Sequence, residues 1–363
     1  MLIRNAWYIA AEPSELDAGL VSRTILGERL VICRTATGTL GALQDRCPHR
    51  LAPLSLGKVV GESLRCGYHG AEFGTDGRCL KVPGQSAVPG TASVRSFPVL
   101  ERHGYIWVWM GDPDRAGDVS TIPQGFAPSG DPRWIGCYGR FESIRADYRL
   151  INDNLFDITH AEFVHPESFG GSEVHFYRNA RPGTDFVDRG MTYRIEENSV
   201  HFRTCANNLG MDGAPFWRQM LAHSRGLQSW DFPVDYKMEV SWWAPAYSSF
   251  HVIVAPCDQP NGERAEIYNF HAAVPETETS SHYFYRSVRN YGDVSMNRSY
   301  ADATNFVFGQ DKAILEGQQS VIGARDLLDA APISFKGDRL QLEARKILAR
   351  LASQANSTAN RGD

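Results

Sequence analysis

Cys47-Pro48-His49 and Cys66-Gly67-Tyr68-His69 are the two stretches that decide how this chain folds, and sixteen residues separate them. Each stretch pairs one cysteine with one histidine in a region typical of hairpin turns. Two thiolates and two imidazoles on facing loops make a four-ligand metal site. Such a set can hold a tetrahedral zinc ion, or a [2Fe–2S] cluster in which the cysteines bind one iron and the histidines the other.

The mixed composition of both stretches favours the cluster. Structural zinc sites usually pair cysteine with cysteine and histidine with histidine, whereas here each loop supplies one ligand of each kind. A Rieske cluster needs that mixture. Two alternatives stay open from the residues alone, a zinc-stabilised binding module and a set of unrelated core cysteines and surface histidines.

A second motif is the stretch Asn154-Leu155-Phe156-Asp157-Ile158-Thr159-His160. It lies in a segment of helical character, Tyr148 to Val164, and its asparagine, aspartate and histidine recur at intervals of three, on one side of a helix. His165 precedes a proline, which disfavours helical dihedrals, so the helix should end near His165. The imidazoles of His160 and His165 can then share one metal. Two histidines and a carboxylate on one face of Fe(II) leave positions open for dioxygen, so an acidic ligand is expected from elsewhere.

The pattern along the chain predicts two domains. The first 110 residues alternate short apolar runs with turn dipeptides such as Asp76-Gly77, which is typical of a small antiparallel β domain built from hairpins. Residues 111–132 then contain four glycines and four prolines, a density that suits a surface connection. We predict domains at residues 1–115 and 136–352, a linker at 116–135 and a loose polar tail at 353–363.

The second domain combines helices with an antiparallel sheet. Past Arg298 the pattern becomes helical again, and Asp338 is a candidate cap for a final helix with an apolar stripe. Alternation of apolar and polar residues predicts strands at Lys237 to Ala244, Phe250 to Ala255, Ile267 to Val274 and Tyr283 to Val288.

Composition and charge narrow the classes of partner. The chain has 363 residues, of which 42% are hydrophobic and 22% charged, as in ordinary globular proteins. A net charge of −5 gives no general attraction to nucleic acid. Because neither a leader pattern nor a long apolar run is present, we expect a cytoplasmic protein that is not inserted in a membrane. Seven scattered cysteines do not form the dense framework of a small secreted domain.

With these residues in view, the chain resembles the Rieske non-haem iron oxygenases. The resemblance includes Arg50 and Pro53 after the first cysteine–histidine pair and Gly70 after the second. Respiratory-chain Rieske proteins carry a disulfide between these loops, at positions that are Ala52 and Tyr68 here, which indicates the lower-potential oxygenase branch. The resemblance implies an α+β chain, with an all-β Rieske domain followed by a helix-grip (START-like) catalytic domain.

The resemblance also implies roles for residues of the second motif. The family's carboxylate ligand lies on a C-terminal helix at a place that Asp311 matches, with Asp302 and Glu316 as local competitors. In the family, the aspartate equivalent to Asp157 links an iron-ligand histidine to a Rieske histidine of the neighbouring subunit, and by position these are His160 and His69. A carboxylate bonded to a ligated imidazole fixes its orientation, a role that bare chemistry also predicts. Asn154 is either a neighbour of the iron or a structural amide.

The family's architecture implies partners. Its subunits join head to tail in a homotrimer, so that one subunit's cluster faces the next subunit's iron. The chain lacks a Gly-x-Gly-x-x-Gly nucleotide-binding turn, so electrons from NAD(P)H are expected through a separate reductase, with or without a ferredoxin.

Similarity is strongest to the subgroup that contains vanillate O-demethylase, dicamba O-demethylase and toluenesulfonate methyl-monooxygenase components. It implies mono-oxygenation of a small aromatic substrate with O2, most simply an O-demethylation that releases formaldehyde, or else N-dealkylation or methyl hydroxylation. The alternatives are a ring-dihydroxylating dioxygenase α subunit and, outside the enzymes, a Rieske electron carrier. The segments that carry the similarity are Arg4-Asn5-Ala6-Trp7-Tyr8, Gly104 to Asp112, Pro215-Phe216-Trp217-Arg218, Pro275-Glu276-Thr277-Glu278 and His282-Tyr283-Phe284.

The substrate pocket is harder to predict than the metal sites. Arg203 or Arg218 could pair with a substrate carboxylate, although arginines are more often surface residues. Aromatic side chains that could line the pocket, or else belong to the core, are Phe156, Trp217, Trp230, Trp242, Trp243, Phe250 and His251.

Overall fold

The structure is a computed structural model that describes residues 1–157, 160–168, 192–206, 215–257, 264–335 and 338–359. The chain divides into two compact units. The first unit comprises residues 2–122 and 274–278, and the second comprises Met1, 123–273 and 279–363.

The first unit is built from short antiparallel strands in three sheets, ordered β2-β3-β4, β5-β6-β7-β8 and β1-β10-β9. Its most buried strand is β10, in which all six residues are buried. The all-β prediction for the N-terminal domain is confirmed. The strands are β1 (Ala6–Ala11), β2 (Val21–Ile25), β3 (Glu28–Arg34), β4 (Leu40–Gln44), β5 (Lys58–Val60), β6 (Ser63–Arg65), β7 (Glu72–Phe73), β8 (Cys79–Lys81), β9 (Val99–Arg102) and β10 (Tyr105–Met110).

The second unit is organised around a seven-stranded antiparallel sheet with the order β11-β17-β16-β15-β14-β13-β12. The four predicted strands correspond to β14 to β17, whereas β11, β12 and β13 were not predicted. In β14 buried and half-buried residues alternate, because one face of the sheet is packed on the core. The strands are β11 (Ile135–Ile144), β12 (Thr192–Ile195), β13 (Ser199–Ala206), β14 (Val234–Trp243), β15 (Tyr247–Pro256), β16 (Ala265–Pro275) and β17 (Ser281–Arg289).

Helices complete the second unit, and the long C-terminal ones confirm the predicted α+β architecture. Helix α5 buries Leu340, Ile347 and Leu348, as its predicted apolar stripe requires. Within the described residues, no helix is both long and apolar enough to cross a membrane. The helices are α1 (Tyr148–Phe156), α2 (Ala161–Val164), α3 (Pro215–Ser224), α4 (Asn297–Ile322) and α5 (Arg339–Ala359).

Three local expectations differ from the structure. The segment Tyr148 to Val164 is not one helix, because Asp157 adopts extended dihedrals and ends α1. The segment predicted as a linker contains a 3-10 helix at Gln124–Gly130, in which Phe126 is completely buried. Helix α5 continues past residue 352 to Ala359, since adding a residue to a formed helix costs far less than nucleating one.

Candidate metal centres

Two loops of the first unit carry the four predicted cluster ligands and fold in the same way. In the loop between β4 and β5, the Cys47 N–H donates to the Ala52 carbonyl at 2.8 Å, and the Leu51 N–H donates back to the Cys47 carbonyl at 2.9 Å. In the loop between β6 and β7, Cys66 makes the corresponding bonds with Ala71 and Gly70, at 2.8 and 3.1 Å. Each loop thus closes around its cysteine.

The backbones of these two loops touch each other. A Cβ at Gly67 would lie 2.5 Å from the Leu56 carbonyl oxygen, and one at Gly57 would lie 2.0 Å from the Arg65 carbonyl oxygen. Real Cβ atoms do not approach that closely, so glycine is required at both positions. The close approach holds the ligand-bearing segments side by side.

A buried carboxylate stabilises the first of the loops. The Asp45 carboxylate accepts the Ser55 N–H at 2.7 Å and the Ser55 hydroxyl at 2.8 Å. Asp45 carries no distinctive signal in the sequence, because an aspartate before a turn is common on protein surfaces. Its buried position identifies it as the residue that holds the loop between β4 and β5.

The four ligand side chains suit a two-iron cluster better than a single ion. Cys47 and Cys66 are 2% and 3% exposed, whereas His49 and His69 are exposed, with ring centroids 4.6 Å apart. Burial raises the pKa of the Cys47 thiol, and the adjacent Cys66 thiol raises it further, so a bound cation would favour the thiolate form of Cys47.

The spacing of the four ligand atoms also bears on the choice between a cluster and a single zinc ion. Some metal-binding side chains of the described residues form groups of three or more whose ligand atoms all lie within 4.8 Å of one another. Cys47, His49, Cys66 and His69 do not belong to such a group. One zinc ion would need its ligand atoms that close, at bond lengths of about 2.0–2.3 Å. Two buried thiols and two exposed imidazoles on adjoining loops fit the donor set of a [2Fe–2S] cluster.

In the second unit, the structure brings His160, His165 and Asp311 together. Their ligand atoms all lie within 4.8 Å of one another. The Asp311 Oδ1 atom is 3.4 Å from His160 Nε2 and 3.1 Å from His165 Nε2. His165 follows the last residue of α2, with a φ of −121° and a ψ of 51°, so its ring turns back toward His160. Asp311 extends from the middle of α4.

The burial and charge of this group fit a divalent metal. Asp311 and His165 are each only 3% exposed. Burial alone would raise the pKa of Asp311, but interactions with the neighbouring imidazoles of His160 and His165 outweigh it and lower the pKa to about 2. The carboxylate is therefore charged at neutral pH. Two imidazoles and one carboxylate form the 2-His-1-carboxylate set that is typical of non-haem Fe(II) sites.

The two remaining predicted residues also lie at this group. Asn154, on α1, donates from Nδ2 to Asp311 Oδ1 at 3.1 Å, which places it as a neighbour of the carboxylate. Asp157 is the residue that ends α1, and its side chain lines the adjoining cavity. The His160 Nδ1 atom is buried and has no hydrogen-bond partner among the described residues.

The competing carboxylates are engaged elsewhere. Asp302 forms an ion pair with Arg298 on the exposed side of α4, at 2.9 Å. Glu316 accepts from the backbone and guanidinium of Arg145, each at 3.0 Å. Neither belongs to the group around His160, so Asp311 is the carboxylate that the fold presents to the histidines.

A cavity of about 240 Å³ adjoins the three side chains. Its walls are mostly apolar, and they come from α1, α3, α4 and the sheet. Away from the metal-binding group, polar members of the lining include Asn269 and His271, which lie two residues apart on β16. Aromatic members of the lining are Phe216, Trp217, Phe250, Phe306 and Phe308.

His271 contributes a neutral polar group to the cavity. Burial lowers its pKa to about 3, and the Tyr283 hydroxyl lies 3.0 Å from its Nδ1. Asn269 Oδ1 accepts the Ser287 hydroxyl at 2.6 Å. Neither residue was predicted from the sequence. The pattern of their strand indicates that its residues are buried, but it does not show which side chains face a cavity.

Only two of the seven aromatic candidates line the cavity, namely Trp217 and Phe250. Phe156 packs against Phe202 and Trp242 in the core, and His251 stacks on Tyr268 while its Nε2 lies 2.8 Å from Glu266. Trp243 packs against His201, and Trp230 packs against Phe232. Successive side chains of a strand point to opposite faces of the sheet, so an aromatic residue can face either the cavity or the core. The residue type alone therefore did not show which aromatic side chains line the cavity.

The two candidate substrate arginines are not at the cavity. Arg203 pairs with Glu239 at 2.7 Å, and Arg218 donates to the Trp230 carbonyl at 2.7 Å. Neither is among the described residues that line the cavity. The suggestion that one of them pairs with a substrate carboxylate therefore lacks support in this geometry.

Two protein families match this chain, one in each part. The Rieske [2Fe-2S] domain family matches residues 6–98, and the vanillate O-demethylase oxygenase C-terminal domain family matches residues 144–354. The chain is 32% identical to a putative toluene-4-sulfonate monooxygenase system iron–sulfur subunit of Comamonas testosteroni, over 98% of this chain and 99% of that one.

Two further comparisons point the same way. The chain is 37% identical to the dicamba O-demethylase oxygenase component of Stenotrophomonas maltophilia, over 80% of this chain and 79% of the relative. A crystal structure of dicamba monooxygenase bound to dicamba superposes with a TM-score of 0.81 at 30% identity, covering 98% of each chain. The resemblance seen in the sequence is confirmed, and the chain belongs to the Rieske non-haem iron oxygenases, as an oxygenase component of the vanillate O-demethylase family.

Proposed function

We propose that this chain binds Fe(II) through His160, His165 and Asp311 and uses it to mono-oxygenate a small aromatic substrate, removing a methyl or other alkyl group from oxygen or nitrogen. The proposal rests on the position of the metal-binding group directly beside a cavity. Three ligand atoms lie within 4.8 Å of one another, and they adjoin a largely apolar, aromatic-lined cavity. A small aromatic ring with few polar groups suits such a lining.

In the proposed reaction the metal supplies dioxygen activation, and the residues of the chain position the substrate. Fe(II) held by His160, His165 and Asp311 would supply dioxygen activation, with the two external electrons passing through the cluster one at a time. One oxygen atom enters a C–H bond of the substrate methyl group, and the other leaves as water with two protons. The hydroxymethyl ether then collapses, its C–O bond breaks and formaldehyde departs. The residues of the chain orient the methyl group toward the metal and exclude water, which the walls formed by Trp217 and Phe250 favour.

The relatives support dealkylation over ring dihydroxylation. Those with a named reaction include two O-demethylase oxygenase components and a chloroacetanilide N-alkylformylase oxygenase component, which is 33% identical over 96% of this chain. We infer that electrons come from NAD(P)H through a separate reductase, with or without a ferredoxin.

We infer further that the functional assembly is a homotrimer in which each cluster serves the iron of the next copy. In the first unit, exposed apolar side chains surround the exposed histidines, with Leu51, Leu56 and Tyr68 at 63%, 77% and 64% exposure. Covering them would be favourable. Asp157 is the proposed bridge between His160 and His69 of the next copy, and His160 Nδ1 has no partner within the described chain.

The reaction can be tested with the purified protein, a compatible reductase, NADH and a panel of aryl methyl ethers and N-methyl arenes. We expect formaldehyde in proportion to NADH consumed for at least one substrate, and none with His165→Ala. Production of a cis-dihydrodiol without formaldehyde would contradict the proposal and move the enzyme to the dioxygenases.

The assembly has its own test. Sedimentation should show a trimer, and Asp157→Asn should slow turnover strongly while cluster and iron contents stay at wild-type values, because only the path between the centres is changed. An active monomer, or an Asp157→Asn variant with full turnover, would contradict this part of the proposal.

A further inference from the structure

His165 makes a contact that its role as a metal ligand does not explain. Its Nδ1 atom lies 2.9 Å from Oε1 of Gln310, while its Nε2 atom faces Asp311 Oδ1 at 3.1 Å. Consecutive residues of α4 therefore hold the two nitrogens of one buried imidazole. The family's ligand set accounts for Asp311 but gives no role to Gln310.

The chemistry of this contact decides which nitrogen can bind a metal. A neutral imidazole carries one N–H, and the other nitrogen holds the lone pair. The Gln310 amide oxygen can only accept, so in the neutral ring it keeps the proton on Nδ1 and leaves the Nε2 lone pair available to a metal held beside Asp311. The opposite amide orientation would donate to Nδ1 and put the ring proton on Nε2, where it would block coordination.

We propose that Gln310 is a positioning residue that sets the tautomer and orientation of His165, and thereby the metal affinity of the site. This inference rests on the proposed iron site. Ligating histidines usually donate their second N–H to a carboxylate, a backbone carbonyl or water, and an amide oxygen is chemically equivalent to the backbone acceptor. Because His165 is 3% exposed, water cannot readily replace that acceptor.

The contrast with the other histidine strengthens the assignment. His160 Nδ1 has no hydrogen-bond partner among the described residues, whereas His165 Nδ1 does. Within the described chain, Gln310 therefore gives His165 an orientation that His160 lacks. His165 should be the ligand whose geometry is set before the metal arrives.

Metal affinity provides the test, since it does not depend on knowing the substrate. Mn(II), which accepts imidazole and carboxylate ligands, is titrated into cluster-loaded protein that lacks mononuclear iron, and the EPR signal of free Mn(II) reports binding. The variants are Gln310→Leu, which removes the acceptor, and Gln310→Glu, which keeps it. Gln318, exposed on the same helix, supplies the controls Gln318→Leu and Gln318→Glu.

We expect Gln310→Leu to weaken Mn(II) binding by about 10–100-fold, Gln310→Glu to bind at least as tightly as wild type, and both Gln318 variants to match wild type. Rescue by Glu but not Leu separates positioning from a loss of packing, and the Gln318→Glu control separates it from added negative charge.

Two results would overturn the inference. Wild-type affinity in Gln310→Leu would show that the acceptor is not needed, and equal losses in Gln310→Leu and Gln310→Glu would assign the residue to packing. A wild-type chain that binds no Mn(II) would instead overturn the proposed iron site, and with it this role for Gln310.

Discussion

Gly67→Ala should damage the cluster without touching a ligand. The added Cβ would lie 2.5 Å from the Leu56 carbonyl oxygen, where an unstrained contact needs about 3.4 Å, so the two loops must separate by about 0.9 Å. Metal sites tolerate departures of only about 0.2 Å in ligand distance. Because the required movement exceeds that tolerance several-fold, Cys66 and His69 cannot keep their places relative to Cys47 and His49.

The expected cost follows from the same geometry. Overpacking of this kind destabilises a protein by about 1–3 kcal/mol, and lost cluster binding adds to it. The assay measures iron, acid-labile sulfide and visible absorbance per chain after identical anaerobic reconstitution. Gly90→Ala is the matched control, since a Cβ there meets nothing within 4 Å. We expect a full cluster in the control and a deficit in Gly67→Ala.

A Gly67→Ala protein with a full cluster and wild-type thermal stability would refute the reasoning. It would mean that the two loops do not approach each other as closely as the backbone distances indicate.

Two further predictions concern carboxylates that accept hydrogen bonds. Asp45→Ala should lower the free energy of unfolding by about 1.5–3 kcal/mol for each lost hydrogen bond to Ser55, as measured by urea denaturation, and an unchanged midpoint would contradict the role given to Asp45. Hydrogen bonds from Arg149 lower the pKa of Asp326 from 3.8 to about 2, so its stabilising charge is present above pH 4 and is lost as the pH falls toward 2. Asp326→Asn should therefore flatten the acid side of the stability profile, and an acid transition identical to wild type would oppose this assignment.

Ligand identity was the most predictable part of this protein. Few kinds of metal site use two loops that each carry one cysteine and one histidine. The spacing of His160 and His165 is set by local helix geometry and by the proline that follows. Asp311 was suggested by family resemblance alone, since no local pattern joins residues about 150 positions apart. The fold shows why it fits, because α4 places its carboxylate between the two histidines.

The residues that surround the ligands were harder to identify from the sequence than the ligands. Asn154 could be named only as one of two alternatives, and Gln310 was not predicted. Each makes a hydrogen bond to a partner on another element, and a polar residue on a helix usually faces solvent. The break at Asp157 also escaped prediction, because the residue types around it allow the helix to continue. Strands β11 to β13 were missed since tertiary pairing, more than local alternation, determines them.

Iron stoichiometry tests the central claim most directly. After anaerobic reconstitution, the wild-type chain should contain about three irons and two acid-labile sulfides, two irons in the cluster and one between His160, His165 and Asp311. His165→Ala should contain about two irons, with an unchanged visible spectrum and no turnover. A wild-type chain that retains only two irons, or a His165→Ala variant that retains three, would contradict the account.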